Sequence, residues 1–229
     1  MMSEKKVDEN RLEALLRGEA DPQLKSILAS LDMVYASGPD TDMTRRAYAA
    51  VDRAIEDSQT AAVGYDRLEE TPFGDLFVAV TEAGVIALAF GGSEAQFRAS
   101  LQGKESRVIR RDPERVRRTM EQLGEYFDGA RDRFDLLFDL RGLTTFQRAV
   151  LTAVQKVPKG SYVSYRQIAE RIGKPGAARA VGQALGRNPI PILIPCHRVI
   201  STDGTLGGYS APGGVETKLA LLKMEGAAF

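Results

Sequence analysis

The sequence has few of the side chains that most often carry nucleophilic or metal chemistry. Its 229 residues include one cysteine and one histidine. A single cysteine excludes an intramolecular disulfide and is typical of a reducing compartment. Zinc sites need several Cys or His ligands, so we predict no metal site.

The chain also lacks net charge and long apolar runs. Lys and Arg number 31, and so do Asp and Glu. No run reaches the roughly 20 apolar residues that span a bilayer, and the charged N-terminus does not resemble a signal peptide. We therefore expect a cytoplasmic protein without membrane contacts.

The zero net charge conceals an uneven distribution along the chain. Residues 144–229 carry eleven Lys and Arg against four Asp and Glu. Such an excess assigns any polyanion binding to this last third. The alternative interpretation is that this excess positive charge only keeps a small domain soluble.

The single cysteine and the single histidine are adjacent, as Cys196 and His197, in the proline-rich apolar run 189–200. A thiol attacks as its thiolate, and imidazole is the usual group that takes its proton. Because Pro195 disturbs regular backbone, we expect a buried strand at 190–194 and a bend or a water between the two side chains. An isolated cysteine is more often a small buried hydrophobe, so the pair alone does not establish a nucleophile.

The first two thirds of the chain show a change of period near residue 60. Apolar residues at helical spacing predict a helical segment over residues 1–60. Strand patterns at 76–80 and 85–90, joined by a tight turn, predict a hairpin. Helices are expected at 93–101 and 113–127, and a further strand at 134–140.

The last third begins with repeated helix-start signals. Thr144 and Ser164 each precede a Gln by three residues, the pattern of a capping box. A turn at 173–176 separates the second of these helices from a third at 177–187, the spacing of a helix-turn-helix. The third helix carries small residues where base-reading side chains would be expected, which suits either approach to a minor groove or close packing within the protein.

The run PCHRV at 195–199, preceded by Asn188-Pro189 and Pro191, resembles the active-site signature of the O6-alkylguanine-DNA alkyltransferases. The similarity is strong over residues 145–226, weak over 64–143 and absent over 1–60. It implies an α/β (α+β) fold. A ribonuclease-H-like supporting domain with a small sheet would occupy 61–143, and a winged helix-turn-helix-like catalytic domain 144–229, after the helical segment 1–60.

The resemblance implies DNA repair by a single irreversible reaction. An alkyl group would pass from O6-alkylguanine in double-stranded DNA to Cys196, after minor-groove binding and flipping of the base; O4-alkylthymine stays open as a second substrate. No cofactor is required, and the protein is expected to be a monomer. Residues 1–60 are left as a candidate surface for a protein partner.

The same resemblance assigns roles to individual residues. His197 takes the thiol proton through a water, Glu225 orients His197, and Asn188 holds the hinge and the active-site hydrogen bonds. The residues expected to contact DNA or the flipped base are Tyr165, Ala178, Arg179, Gly182, Tyr209 and Ser210. Arg179 fills the gap that the flipped base leaves in the DNA base stack, and Tyr165 assists rotation of the nucleotide. Tyr209 and Ser210 form a lid over the base. Next to this lid, Ala211-Pro212 departs from the family pattern. Taken singly, a core tyrosine, a surface arginine and an exposed glutamate are equally ordinary interpretations.

Three other functions match parts of this pattern. A sensor that flips alkylated bases without repairing them would lack the cysteine that is present here. A winged-helix regulator would carry base-reading side chains on helix 177–187. A Cys-His hydrolase would turn over and would not require DNA.

Replacement of Cys196 by Ala separates these interpretations. We expect Cys196→Ala to abolish alkyl transfer and to leave DNA affinity nearly unchanged, because the thiol is the acceptor and contributes little to the DNA interface. Transfer and equilibrium binding to alkylated duplex DNA would be measured on the same preparation. Loss of binding together with transfer would contradict the assigned role.

Overall fold

The computed structural model describes residues 63–102 and 108–228. Residues 63–102 and 109–229 are grouped into one compact unit. The predicted helical segment 1–60 lies outside the described residues, and the domain boundary near residue 143 stays a prediction. No helix in the described ranges is both long and apolar enough to cross a membrane.

A four-stranded sheet forms the first half of this unit. Its strands are β1 (Val63–Thr71), β2 (Gly74–Thr81), β3 (Gly84–Phe90) and β4 (Ile109–Arg111), in the order β3-β2-β1-β4. The first three pair as antiparallel neighbours, and β4 runs parallel to β1. The predicted hairpin is confirmed as β2 and β3, whereas β1 and β4 were not predicted.

The period of two in β2 sends alternate side chains to opposite faces of the sheet. Phe77 and Ala79 join Phe97 in a small cluster under α1 (Glu94–Leu101). Leu76 and Val78 face the main core, which they share with α2 (Pro113–Phe127) and the C-terminal elements. Both predicted helices are confirmed, and each begins at a side-chain cap, Ser93 and Asp112 respectively.

The C-terminal half packs short helices around the same main core. They are α3 (Thr145–Gln155), α4 (Tyr165–Arg171), α5 (Ala178–Leu185) and α6 (Val215–Met224). Both predicted capping boxes are formed, at Thr144 and Ser164. A 3-10 helix, Cys196–Arg198, leads into β6 (Val199–Ile200), which pairs in parallel with β5 (Val163–Ser164). The winged helix-turn-helix description of this half stays an interpretation.

The expected strand at 134–140 is wrong. Only Phe138 forms a bridge, with Val85 at the outer edge of β3. Farther along that edge, Leu88 donates its backbone N–H to the Pro189 carbonyl at 2.8 Å. The edge of β3 is therefore divided between two partners, and neither forms a continuous ladder.

Gly84 is the first residue of β3 and lies against the backbone of Leu137 and Phe138. Its φ is +130°, and a Cβ there would lie 2.3 Å from the Leu137 carbonyl oxygen. Gly74 has φ +78° with no atom within 4 Å of such a Cβ. Both glycines thus have a positive φ, which disfavours other residues, but only Gly84 is also sterically confined.

Comparison of Gly84→Ala with Gly74→Ala tests this close approach. Both should lose about 1 kcal/mol or more from the unfavourable φ, and Gly84→Ala should lose roughly 1–3 kcal/mol more from overpacking. Denaturant unfolding of the two variants measures the difference. Equal destabilisation would contradict the close contact between β3 and Leu137.

Candidate active site

The segment before Cys196 is a series of tight turns, so the predicted strand at 190–194 is wrong. Leu193 donates its N–H to the Pro191 carbonyl at 2.8 Å, and Ile194 donates to the Ile190 carbonyl at 2.9 Å. Ile192 has φ +69°, which is rare for a β-branched residue. The prolines remove donors that a ladder would need, and the chain closes into a compact loop instead. We call residues 188–196 the reactive loop.

The Asn188 side chain closes the reactive loop from inside. Its Oδ1 accepts the Ile190 N–H at 3.0 Å, and its Nδ2 donates to the Ile194 carbonyl at 2.9 Å. The same Nδ2 lies 3.2 Å from Cys196 Sγ. One buried amide thus fixes the loop and directs a hydrogen-bond donor at the sulfur.

Glu225, at the C-cap of α6, forms the centre of a buried hydrogen-bond cluster. Its Oε1 lies 2.9 Å from His197 Nε2 and accepts hydrogen bonds from Arg198 Nη2 and Tyr126 Oη, each at 2.6 Å. Arg198 Nε donates to Oε2 at 2.8 Å. A glutamate at a helix end is usually exposed to solvent, but the side chain of Glu225 is fully buried.

The carboxylate fixes the tautomer of His197. An ionised carboxylate only accepts hydrogen bonds, so Nε2 of the imidazole carries the proton. Burial lowers the pKa of His197, and the hydrogen bond and charge of Glu225 oppose that shift. The remaining nitrogen, Nδ1, is buried without a hydrogen-bond partner among the described residues. His197 therefore offers a vacant acceptor while neutral.

Burial likewise raises the pKa of the Cys196 thiol, against the opposing effects of the Asn188 hydrogen bond and the Lys218 charge. Cys196 is 5% exposed. Both shifts favour the uncharged forms, a thiol at Cys196 and an imidazole at His197.

Lys218 is a functional candidate that sequence reasoning missed. It is 1% exposed, its Nζ donates to the Val199 carbonyl at 2.6 Å and to the Leu206 carbonyl, and it lies 5.8 Å from the centroid of the Tyr165 ring. Burial lowers its pKa to about 8. Its spacing from Leu221, Leu222 and Glu225 places it on the buried face of α6, and that signal was available in the sequence.

A cavity of about 400 Å³ opens over Cys196. It brings together five of the predicted site residues, namely Tyr165, Gly182, Cys196, Tyr209 and Ser210. Burial and the nearby Cys196 raise the pKa of Tyr165, so its hydroxyl remains a donor.

The other predicted residues lie around this cavity. Asn188 contacts the sulfur, and Asn188, His197 and Glu225 are all buried. Arg179 is exposed and Ala178 partly exposed at the start of α5, and neither lines the cavity. In the described part of the chain, no group of three or more His, Cys, Asp or Glu could hold a metal.

The contribution of the Glu225 charge to stability depends on pH. Its pKa falls to about 2, because the hydrogen bonds from His197 and Arg198 outweigh desolvation. A depressed folded-state pKa gives stability that is present above the ordinary value near 4.5 and is lost as pH falls through about 2. The shift corresponds to about 3 kcal/mol.

We therefore expect Glu225→Gln to be strongly destabilised at pH 7, because Arg198 loses its counter-charge in a buried site. The difference from wild type should shrink as pH falls from 4.5 towards 2, as the wild-type carboxyl itself becomes neutral. Denaturant unfolding across this range measures it. Glu216→Gln, at the exposed first turn of α6, is the matched control and should change little; a difference for Glu225→Gln that stays constant with pH would contradict the account.

Comparison with known proteins places this geometry in a family. Residues 145–227 match the family model described as "6-O-methylguanine DNA methyltransferase, DNA binding domain". A methylated-DNA–protein-cysteine methyltransferase of Mycolicibacterium paratuberculosis is 55% identical over 106 residues, which span 46% of this chain and 62% of that protein. The enzyme of the same name from Methanosarcina barkeri is 40% identical over 161 residues, which span 70% of this chain and 96% of that protein.

Solved structures give the same result. The crystal structure of Mycobacterium tuberculosis OGT in complex with DNA is similar with a TM-score of 0.60 and 39% sequence identity, over 71% of this chain and 92% of that chain. A structure titled O6-methylguanine methyltransferase from the same organism also has a TM-score of 0.60, at 38% identity over 72% of this chain and 93% of that chain. The predicted mixed α/β fold is thereby confirmed. The chain belongs to the methylated-DNA–protein-cysteine methyltransferase family.

Proposed function

We propose that this protein repairs alkylated DNA by transferring the alkyl group from O6 of guanine to its own Cys196. The observation that carries the proposal is the sulfur itself, which lines a cavity of about 400 Å³ while Asn188 contacts it from behind. Pockets that bind small molecules have volumes of about 300–1,000 Å³, and this cavity lies within that range. The position of the only cysteine of the chain at this cavity supports its role as the acceptor.

The reaction forms one bond and breaks one bond. Cys196 Sγ attacks the alkyl carbon, an S–C bond forms, and the C–O6 bond breaks with its electron pair left on the guanine. The thiol proton passes to Nδ1 of His197 through a water, and Glu225 stabilises the imidazolium that results. Tyr165 and Ser210 donate hydrogen bonds to the guanine as it leaves. The imidazolium gives up its proton as the guanine gains one, so the net result moves the thiol proton to the guanine and returns His197 to the neutral form.

The electrostatics of the resting site support this sequence of events. Burial disfavours both the free thiolate and the free imidazolium, so the charge-separated pair is not the ground state. Transfer of the alkyl group removes the negative charge from sulfur as a neutral thioether. A thioether has no proton to lose and no leaving group at hand, so each protein molecule acts once.

DNA would be bound by the face that carries α4 and α5. Exposed cations on or beside these helices include Arg166, Arg171, Lys174, Arg179 and Arg187, and cations of this kind neutralise phosphates in any sequence. Side chains on α5 are small, which suits the minor groove. Arg179 would occupy the stack that the flipped nucleotide leaves, and Tyr165 would assist its rotation.

The lid over the cavity is held from two sides. Lys218 donates to the Val199 carbonyl, just after the 3-10 helix, and to the Leu206 carbonyl, just before Gly207. It thereby connects the 3-10 helix to the segment that leads into the lid residues Tyr209 and Ser210. A Cβ on Gly207, whose φ is +66°, would lie 3.0 Å from the Tyr165 hydroxyl. The lid therefore passes close to the tyrosine that would contact the base, and Tyr209 and Ser210 continue it over the cavity.

Intact-mass spectrometry after incubation with duplex DNA containing O6-methylguanine tests the proposal. We expect one methyl increment per protein molecule, assigned to Cys196 by peptide mapping, with no further increment at excess DNA. Cys196→Ser is the matched control and should gain no mass at the same DNA affinity.

Two other outcomes would overturn the proposal. Tight and selective binding of the lesion without a mass increase would favour the sensor function. Absence of both binding and mass increase would contradict a role on alkylated DNA altogether.

A further inference from the structure

Tyr126 connects the sheet-bearing half of the unit to the candidate active site. It lies near the end of α2, is 1% exposed, and donates from Oη to Glu225 Oε1 at 2.6 Å. The same oxygen atom contacts His197 Nε2. The tyrosine thus shares its acceptor with the histidine, although ninety-nine residues separate Tyr126 from Glu225.

The ring of Tyr126 is fixed by its surroundings. It packs against Phe127 and Phe134 with centroid distances of 5.4 and 5.2 Å, and Lys159 Nζ lies 5.5 Å from its centroid. Burial and the Glu225 charge raise the pKa of its hydroxyl. The raised pKa favours the protonated phenol, which donates to one oxygen of Glu225.

We propose that Tyr126 is a positioning residue for His197, which acts by fixing the Glu225 carboxylate and taking up part of its negative charge. Donors that share one oxygen weaken one another, because each withdraws electron density from it. Without the phenol, Glu225 would accept more strongly from His197 and would favour the imidazolium. With the phenol in place, His197 stays neutral and Nδ1 stays free to accept the proton of Cys196.

The other charged and titratable groups around His197 do not supply the same restraint. Arg198 binds Glu225 from the 3-10 helix itself, and so moves with His197. Those on the surrounding elements are Tyr126 from α2, Glu225 and Lys218 from α6, Cys196 and Arg198 from the 3-10 helix, and Tyr209 from the lid. Tyr126 alone among these reaches Glu225 from the sheet-bearing half.

Tyr126→Phe tests the inference, because it removes the hydroxyl and keeps the ring. His197 is the only histidine in the chain, so the protein labelled with ¹⁵N-histidine gives one imidazole to follow. In Tyr126→Phe we expect the Nε2 proton resonance to move downfield at pH 7, and the pH at which His197 titrates to rise by roughly one unit. The inference about transfer rests on the proposed function, but this resonance does not.

Tyr65→Phe is the matched control. Tyr65 is also buried and donates to a glutamate, Glu94, within the small cluster on the opposite face of the sheet. Its loss removes a hydrogen bond of the same kind away from the candidate active site and should leave the His197 resonance unchanged. The acid limb of the methyl-transfer rate should shift upward in Tyr126→Phe by the same increment as the imidazole titration, and should not shift in Tyr65→Phe.

An unchanged His197 resonance in folded Tyr126→Phe would overturn the inference, as would an equal change in Tyr65→Phe. Absence of methyl transfer by the wild-type protein would instead overturn the proposed function and leave the resonance test decisive for Tyr126.

Should Tyr126→Phe fail to fold, 3-fluorotyrosine at position 126 keeps the contact and donates more strongly. That substitution should move the Nε2 proton upfield, and an unchanged or downfield position would count against the inference.

Discussion

A buried carboxylate must be surrounded by donors, because an unpaired charge in a protein interior costs several kcal/mol. Glu225 meets this requirement with donors from two other parts of the chain, Tyr126 on α2 and the adjacent His197 and Arg198 on the 3-10 helix. Each of these contacts is possible only if α2, the 3-10 helix and the end of α6 lie together. The need to pair one charge therefore fixes the position of the histidine beside the reactive cysteine.

A second constraint acts on the backbone that carries the thiol. Three prolines make the reactive loop a poor partner for any sheet, and Asn188 satisfies its inner N–H and C=O groups instead. The loop can then expose a sulfur at the floor of a cavity while nearly every atom around it is buried. Burial also raises the pKa of the thiol, which favours its protonated form in the resting protein.

Local signals in the sequence predicted local structure well. Capping boxes at Thr144 and Ser164, the hairpin of β2 and β3, and the motif around Cys196 each depend on neighbours within a few residues. The strand β1 escaped prediction because beyond Tyr65 it carries charged residues at most positions, and β4 has only three residues. The expected strand at 134–140 failed because pairing at the edge of β3 depends on residues distant in sequence. The expected strand at 190–194 failed because local turns and the Asn188 side chain take the place of a strand ladder.

The candidate site shows the same division. Cys196 and His197 were found because they are adjacent in the sequence, and Asn188 and Glu225 because of the family resemblance. Tyr126 gave no signal, since it reads as one more aromatic residue on an amphipathic helix. Lys218 could have been found, because a lysine on the apolar face of α6 is unusual and points to a buried role.

The central claim is that His197 rests as a neutral imidazole with its proton on Nε2, held by the ionised Glu225. Imidazole ¹⁵N chemical shifts of the wild-type protein, labelled at its single histidine and free of DNA at pH 7, test this most directly. The account predicts a protonated Nε2 and an unprotonated Nδ1. A doubly protonated ring, or a proton on Nδ1, would contradict it.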